Sequence, residues 1–245
     1  MSIELVKCTF GYGRGVDVLS DLSIALPAGT TVLLGPNGAG KSTLLAILAS
    51  RYTPHAGNVS YKGLDPARRR DRTRYRQLVG WMPQGIQAIP GLTVREQVSY
   101  AGWLKGMSRS AAWRNSMAAL ERVSLASLAD RRSNRLSGGQ LRRVGLAQTL
   151  IHDARVLLLD EPTAGLDPHQ RERFRNIIGA IAQERDVIVS THQTEDLTDI
   201  YDSVVVLDAG TVRYAGATAG FLALAGQGSA RPVDDAYARL VAAEI

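Results

Sequence analysis

Glycine, lysine and hydroxyl side chains with the spacing of a phosphate-binding loop occur near the N-terminus. The stretch consists of Gly35, Pro36, Asn37, Gly38, Ala39, Gly40, Lys41, Ser42 and Thr43. It follows an apolar run, residues 31–34, that predicts a buried strand, and it leads into residues 44–49, which predict a helix. The glycines allow successive N–H groups and the positive end of the helix dipole to point at an anion. We expect Lys41 to reach the β and γ phosphates of a nucleotide and Ser42 to hold Mg²⁺.

Two adjacent carboxylates, Asp160 and Glu161, follow a second apolar run at residues 156–159. An uninterrupted apolar run is typical of a strand buried on both faces. The pair is therefore expected at the carboxyl end of that strand, where ligands of α/β sheets bind. Phosphoryl transfer needs one group that holds the metal and one that polarises a water. We assign Asp160 to the metal and Glu161 to the water.

A second candidate anion site lies just before a helical stretch. Ser137, Gly138, Gly139 and Gln140 can present a hydroxyl and bare N–H groups at a helix N-terminus. One anion needs only one such cradle. Two cradles in one chain suggest that the second serves a nucleotide held by another copy.

The elements around these residues predict an α/β fold. Residues 2–34 are strand-rich, residues 93–151 are helical, and strand and helix patterns alternate from residue 156 onward. This order predicts a mostly parallel sheet with right-handed crossovers. Within the helical stretch, Trp113 and Leu120 share one helical face, which we interpret as core packing.

Composition excludes several classes of protein. The chain has 245 residues, 45% of them hydrophobic, a formal charge of +6 and a single cysteine, Cys8. One cysteine cannot form a disulfide framework or a metal–thiolate cluster, and a reducing cytosol is expected. The sequence contains neither an apolar run of 18 residues nor a recognisable export signal, so we expect it neither to span a membrane nor to be exported.

A dense basic run, residues 68–76, contains six arginines. Arginine clusters bind lipid headgroups or nucleic acid through phosphate. The alternative is a solvated loop and helix face, which we favour.

The motifs and their order resemble those of ABC transporter ATP-binding subunits over nearly all of residues 1–220. Residues 136–140, Leu-Ser-Gly-Gly-Gln, match the family signature in full. Residues 35–43 match Walker A, residues 156–162 resemble Walker B, and residues 163–167 correspond to the D-loop.

The resemblance implies roles for three further residues. Gln84, which follows Pro83, corresponds to the Q-loop glutamine that senses Mg²⁺ and water. His192 corresponds to the switch histidine that contacts the γ phosphate. Tyr12 lies where an aromatic side chain commonly stacks on adenine. Catalysis is thereby expected from Glu161, His192 and Gln84, and metal binding from Ser42, Gln84 and Asp160.

The family also implies an architecture. It is a P-loop NTPase with a mostly parallel sheet core, an N-terminal antiparallel β subdomain and an inserted α-helical subdomain. The ATP-binding domain is expected over residues 1–220, with the helical insert at about 85–150. Outside the resemblance, the sequence itself predicts a short C-terminal extension of unknown role over residues 221–245, with a final helix at about 234–243.

The implied function is ATP hydrolysis that drives a transporter. Two copies would pair head to tail, each ATP lying between Walker A of one and the signature of the other. A separate integral membrane subunit would dock on residues 84–104 at the cytoplasmic face of the membrane. Residues 92–100 resemble those of exporters for drugs, peptides or polysaccharides.

Two alternatives remain open. One is a soluble ABC ATPase acting on nucleic acid or ribosomes, which the basic charge permits. Members of that class usually carry two cassettes, zinc cysteines or long coiled coils, and the sequence has none of these, so a nucleic-acid partner is disfavoured. The other is a subunit that binds ATP without turnover, which the presence of Lys41, Gln84, Asp160, Glu161 and His192 disfavours.

Overall fold

The chain divides into two compact units. The structure is a computed structural model that describes residues 3–13, 15–197, 200–226 and 228–241. One unit is formed by residues 1–75 and 186–245, and the other by residues 76–185. The last residues of the expected final helix, 242 and 243, lie outside the described residues.

Strands and helices alternate along most of the chain. The strands are β1 (Ile3–Phe10), β2 (Leu19–Leu26), β3 (Thr30–Leu34), β4 (Ala56–Tyr61), β5 (Val79–Met82), β6 (Val156–Asp160), β7 (Asp186–Thr191), β8 (Ser203–Asp208) and β9 (Thr211–Ala217). The helices are α1 (Lys41–Leu48), α2 (Arg69–Leu78), α3 (Val94–Leu104), α4 (Arg109–Arg122), α5 (Gly138–Leu150), α6 (Pro168–Ala182), α7 (Thr218–Ala223) and α8 (Pro232–Val241).

The first unit contains an antiparallel and a mostly parallel set of strands. The antiparallel set has the order β2-β1-β4. In the other set, β3 pairs in parallel with β7 and β8, and β9 pairs antiparallel with β8. Every residue of β3 is buried, as expected for a strand covered on both faces. The register pairs Leu34 with Thr191, so the loops after β3 and β7 start side by side.

The second unit combines one parallel strand pair with a group of helices. β5 and β6 pair in parallel, and Met82 lies opposite Leu159. Helices α3, α4 and α5 contact one another. Capping boxes begin both α3, through Thr93, and α5, through Ser137, and each satisfies two backbone N–H groups that a helix start leaves without partners.

Most of the expected strands and helices are present, but two features differ from the expectation. Strand β9 and helix α7 occupy residues 211–223, where the sequence analysis predicts neither element. Trp113, interpreted above as a core residue, is 43% exposed, whereas Leu120 of the same stripe is fully buried. No described helix is both long and apolar enough to cross a bilayer.

Candidate functional site

The loop after β3 is shaped to receive an anion at the start of α1. Gly40 is the N-cap of α1, with a φ of 99°, and no side chain caps the helix. The first turn contains no acidic residue. An anion bound at this helix start would meet backbone N–H groups and the positive end of the helix dipole.

Lys41 is held over this loop by main-chain oxygens. Its Nζ donates to the carbonyl oxygens of Gly35 at 2.7 Å and Pro36 at 2.9 Å, and the residue is 5% exposed. Gly35 is required by a close approach, because a Cβ there would lie 2.1 Å from the carbonyl oxygen of Leu207 in β8. The glycine lets β8 pack directly against the start of the loop.

Tyr12 lies beside the phosphate-binding loop and is mostly exposed. Its hydroxyl is 2.8 Å from Thr43 Oγ1 in the first turn of α1. Its ring meets Phe10 and Tyr52 edge to face, at centroid distances of 5.3 and 5.6 Å. With 63% of the residue exposed, one ring face can receive a flat ligand next to the loop.

His192 follows the carboxyl end of β7. Its side chain is exposed, and the strand residue before it, Thr191, is paired with Leu34 immediately before the phosphate-binding loop. In the first unit, the phosphate-binding loop and His192 therefore follow the carboxyl ends of two adjacent parallel strands, β3 and β7.

In the second unit, Asp160 and Glu161 end β6 in a buried position. Asp160 is 3% and Glu161 9% exposed. Gln84 Nε2 donates to Glu161 Oε2 at 3.1 Å. Glu161 has a φ of 43° and is the only buried non-glycine residue with positive φ in the described part of the chain. Such strained backbone is typical of functional sites when the surroundings hold it in place.

Arg142 of α5, which the sequence analysis did not identify, holds the strained backbone at Glu161 in place. Its Nη1 donates to the carbonyl oxygen of Glu161 at 2.9 Å, and its Nη2 to that of Ala164 at 3.0 Å. Burial lowers the pKa of Arg142, while the charges of Glu161 and Asp160 act in the opposite direction. Two adjacent arginines in an otherwise uncharged helix are a signal that at least one of them is bonded inside the protein.

The start of α5 presents backbone donors to solvent. Ser137 Oγ accepts from the Gln140 N–H at 3.3 Å, and Gln140 Oε1 accepts from the Ser137 N–H at 3.0 Å. The Ser137 hydroxyl keeps its own proton for donation. Gly138 is exposed with open space where a Cβ would be, so a ligand can approach the backbone closely.

An aromatic cleft lies between α3 and α4. Its volume is about 740 Å³. Tyr100 and Trp103 stack at a centroid distance of 5.7 Å, and the Arg95 guanidinium lies 3.9 Å from the ring centroid of Trp113. The cleft is lined by Leu92, Glu96, Ser99, Tyr100, Trp103, Arg109 and Trp113. Exposed aromatic clusters of this kind are typical of interaction sites.

Each unit, taken by itself, carries side chains of the kind that bind a nucleoside triphosphate or Mg²⁺. The uncapped start of α1 and the ammonium of Lys41 suit phosphate oxygens. The hydroxyl of Ser42, the carboxylate of Asp160 and the amide oxygen of Gln84 are the hard oxygen ligands that Mg²⁺ prefers. Each unit supplies its own part: Ser42 belongs to the first, and Asp160 and Gln84 to the second.

Comparison with known proteins gives the same family as the motifs. Residues 19–164 match the family model described as ABC transporter. The cobalt import ATP-binding protein CbiO of Rhodobacter capsulatus is 38% identical over 231 residues, covering 91% of this chain and 82% of that protein. The phosphonates import ATP-binding protein PhnC of Chromohalobacter salexigens is 35% identical, covering 88% and 84%. The Nod factor export ATP-binding protein I of Burkholderia lata is 40% identical, covering 79% and 64%.

These relatives include import and export proteins, so they do not support the export direction expected from residues 92–100. Among solved structures, cbiO1 from Clostridium perfringens, part of the ABC transporter complex cbiONQ, has a TM-score of 0.79 at 26% identity and covers 90% of both chains. A bacterial ABC transporter cassette solved as a dimer has a TM-score of 0.77 at 25% identity, covering 88% of this chain and 98% of the cassette. The family match over more than half of the sequence shows that the chain belongs to the ABC transporter family, as one of its ATP-hydrolysing subunits.

Proposed function

We propose that the chain binds ATP with Mg²⁺ in a head-to-tail pair and powers a separate integral membrane subunit from the cytoplasmic face of the membrane. The observation that carries the proposal is the bond between Gln84 and the buried, backbone-strained Glu161. A glutamine amide on a carboxylate at the end of a buried strand is suited to orienting a water molecule for attack on phosphorus.

The phosphates are bound by the first unit in this proposal. Residues 35–43 wrap the phosphates with backbone N–H groups, and Lys41 exchanges its bonds to loop carbonyls for bonds to the β and γ phosphates. The exposed ring face of Tyr12 stacks on adenine. His192, at the neighbouring strand end, donates to the γ phosphate.

Hydrolysis depends on the carboxylates of the second unit. When bound, Mg²⁺ neutralises charge on the β and γ phosphates, with Ser42, Asp160 and Gln84 as its proposed ligands. Glu161 accepts the proton of the attacking water, and Gln84 keeps the carboxylate oriented. Arg142 fixes the peptide that carries Glu161.

A second copy completes the site. The exposed start of α5, with Ser137 and Gly138, is suited to the γ phosphate of an ATP held by the partner. The dimeric cassette of similar fold supports a paired arrangement. ATP then acts as an attractive bridge that hydrolysis removes, so turnover alternates the pair between closed and open populations.

The aromatic cleft between α3 and α4 is the proposed docking surface for the membrane subunit. Tyr100, Trp103 and Trp113 are each more than 40% exposed, which is costly for large rings that nothing covers. Glu96 and Arg109 add one charge of each sign to the lining. A short amphipathic segment of the membrane subunit has the chemistry to fill this cleft.

The direction of transport follows the membrane subunit, because the chemistry described here is the same for import and export. Reconstitution with the membrane subunit in proteoliposomes gives the direction. ATP added outside will drive solute into the vesicle lumen for an exporter and out of the lumen for an importer.

The proposal is tested with Glu161→Gln. Because the amide cannot accept the proton of the water, phosphate release should fall by at least about 100-fold, while ATP binding persists and the closed dimer accumulates on gel filtration with ATP and Mg²⁺. Phosphate release at the wild-type rate would show that Glu161 is not the group that accepts the proton of the attacking water. A strictly monomeric variant with bound ATP, even with the membrane subunit supplied, would refute the paired site.

A further inference from the structure

Helix α8 contacts the segment that follows His192. A short 3₁₀ turn, Thr194–Asp196, begins two residues after the histidine and contacts α8. The Thr194 hydroxyl donates to Oδ1 of Asp234, 40 residues further along the chain. A single 3₁₀ turn has poor intrinsic stability, so its conformation depends on such outside partners.

The same segment is closed at its base by a second bond. Thr191 Oγ1 donates to Asp196 Oδ2 at 2.6 Å, and Asp196 is 3% exposed. The Gln193 N–H donates to Thr191 Oγ1 at 3.1 Å. His192 therefore lies on a six-residue loop that is tied at its root by Thr191 and Asp196 and on its outer side by α8.

Helix α8 is anchored independently of Thr194. Ala236 is fully buried, and Arg239 Nη1 donates to the carbonyl oxygen of Leu224 at 2.6 Å. The neighbouring carboxylate, Asp235, is exposed and accepts from Ser229 Oγ at 2.6 Å at the helix start. Adjacent aspartates thus serve different partners: Asp234 binds the loop of His192, and Asp235 binds Ser229 just before its own helix.

From these contacts we infer that Asp234 is a positioning residue for turnover. Through Thr194 it holds the loop in the conformation in which His192 meets the γ phosphate. The inference rests on the proposed role of His192, and it gives the C-terminal extension a part in hydrolysis. An ionised acceptor makes the bond stronger than a neutral one, which suits a contact that must fix a loop at the protein surface.

The test compares variants of the full chain by steady-state ATP hydrolysis. Asp234→Ala and Thr194→Val should each lower kcat about five- to tenfold, with the KM for ATP within about twofold, because the loop acts on the γ phosphate after nucleotide is bound. The double variant should fall no further than either single variant, since both remove the same bond. Thr194→Ser restores the hydroxyl and should restore kcat. Asp235→Ala is the matched control and should keep wild-type kcat.

Three outcomes would overturn the inference. These are equal kcat values for Asp234→Ala and Asp235→Ala, additive losses in the double variant, and failure of Thr194→Ser to rescue. Thr194→Val keeps the side-chain volume while removing the hydroxyl. If Asp234→Ala folds poorly, the kcat of Thr194→Val therefore shows whether the Thr194–Asp234 bond contributes to turnover. His192→Ala distinguishes the role of the histidine from the positioning role of Asp234. If His192→Ala is inactive and Asp234→Ala is active, only the positioning role is refuted. If His192→Ala turns over ATP at the wild-type rate, the proposed role of the histidine is refuted.

Discussion

Replacing Arg142 tests whether the strained backbone at Glu161 is held from α5. The change Arg142→Ala removes two bonds, to the carbonyl oxygens of Glu161 at 2.9 Å and Ala164 at 3.0 Å. Hydrogen bonds that involve a charged group contribute about 1.5–3 kcal/mol each when buried. Arg142 is only partly buried, so we take about 2 kcal/mol for the pair, allowing for solvent screening.

That energy is comparable with the strain it opposes. A non-glycine residue in the left-handed region, as Glu161 is at a φ of 43°, costs about 1–3 kcal/mol. Without the arginine, the peptide can relax and turn the carboxylate away from the water. About 2 kcal/mol corresponds to about a thirtyfold change in rate. We therefore expect kcat to fall ten- to thirtyfold, a range of about 1.4–2 kcal/mol.

The assay is phosphate release at saturating and at limiting ATP. Because Arg142 bonds to the carbonyl oxygens of Glu161 and Ala164, which lie outside the phosphate-binding loop, the KM should change by less than about twofold. Arg142→Lys keeps the charge but reaches only one carbonyl, so an intermediate rate is expected. Arg114→Ala, an exposed arginine of α4 in the same unit, is the control. A folded Arg142→Ala protein with kcat within twofold of wild type would show that Arg142 does not hold Glu161 in its active conformation. A raised KM with unchanged kcat would indicate that Arg142 acts in nucleotide binding.

Four further predictions address separate features. Tyr12→Phe should keep ATP affinity and Tyr12→Ala should weaken it about tenfold in a fluorescent-nucleotide titration, since stacking needs the ring and not the hydroxyl; equal losses would assign the effect to the hydroxyl. Burial lowers the pKa of His152 to about 3, so below about pH 6.5 the unfolded chain binds a proton that the folded chain does not bind. The free energy of unfolding should therefore fall by about 1.4 kcal/mol per pH unit between about pH 6.5 and pH 3. His152→Leu should flatten this slope in urea unfolding, and an unchanged slope would contradict the role of His152. Trp103→Ala should leave the ATPase rate of the isolated chain unchanged but reduce co-purification with the membrane subunit at least tenfold; full retention would exclude the cleft as the docking surface. Gly35→Ala brings a Cβ to 2.1 Å from the carbonyl oxygen of Leu207 and should cost about 3 kcal/mol or more in thermal unfolding; a loss below about 1 kcal/mol would show that β8 can move aside.

The elements that sequence predicts are those with a strong local signal. β3 and β6 were predicted because their uninterrupted apolar runs can only be buried on both faces. β9 was missed because it is a half-exposed strand whose place depends on pairing with β8, with Tyr214 opposite Val206. α7 has six residues, too few for a helical period to emerge.

For Trp113, the predicted helical spacing is correct, but the predicted buried environment is wrong. Helical spacing predicts that residues share a face, but not how far that face is covered. Leu120 lies at the fully buried end of the stripe, whereas Trp113 sits at the cleft, where Arg95 covers only one side of its ring. A large aromatic residue can contribute to the core with one edge and still offer the rest of its surface to a partner.

The candidate site was predictable to the level of strand ends, and register decides the rest. Parallel strands bring their carboxyl ends to one edge, which predicts Lys41 near His192 in the first unit and Gln84 near Glu161 in the second. The pairing of Leu34 with Thr191, and of Met82 with Leu159, then determines the neighbours: the phosphate-binding loop starts beside His192, and Gln84 lies within hydrogen-bond distance of Glu161. Such pairings join residues at least 77 positions apart, and no local pattern encodes them. The bonds of Arg142 and Asp234 join residues 19 to 40 positions apart, also beyond the reach of a local pattern, so these positioning residues emerge only from the folded chain.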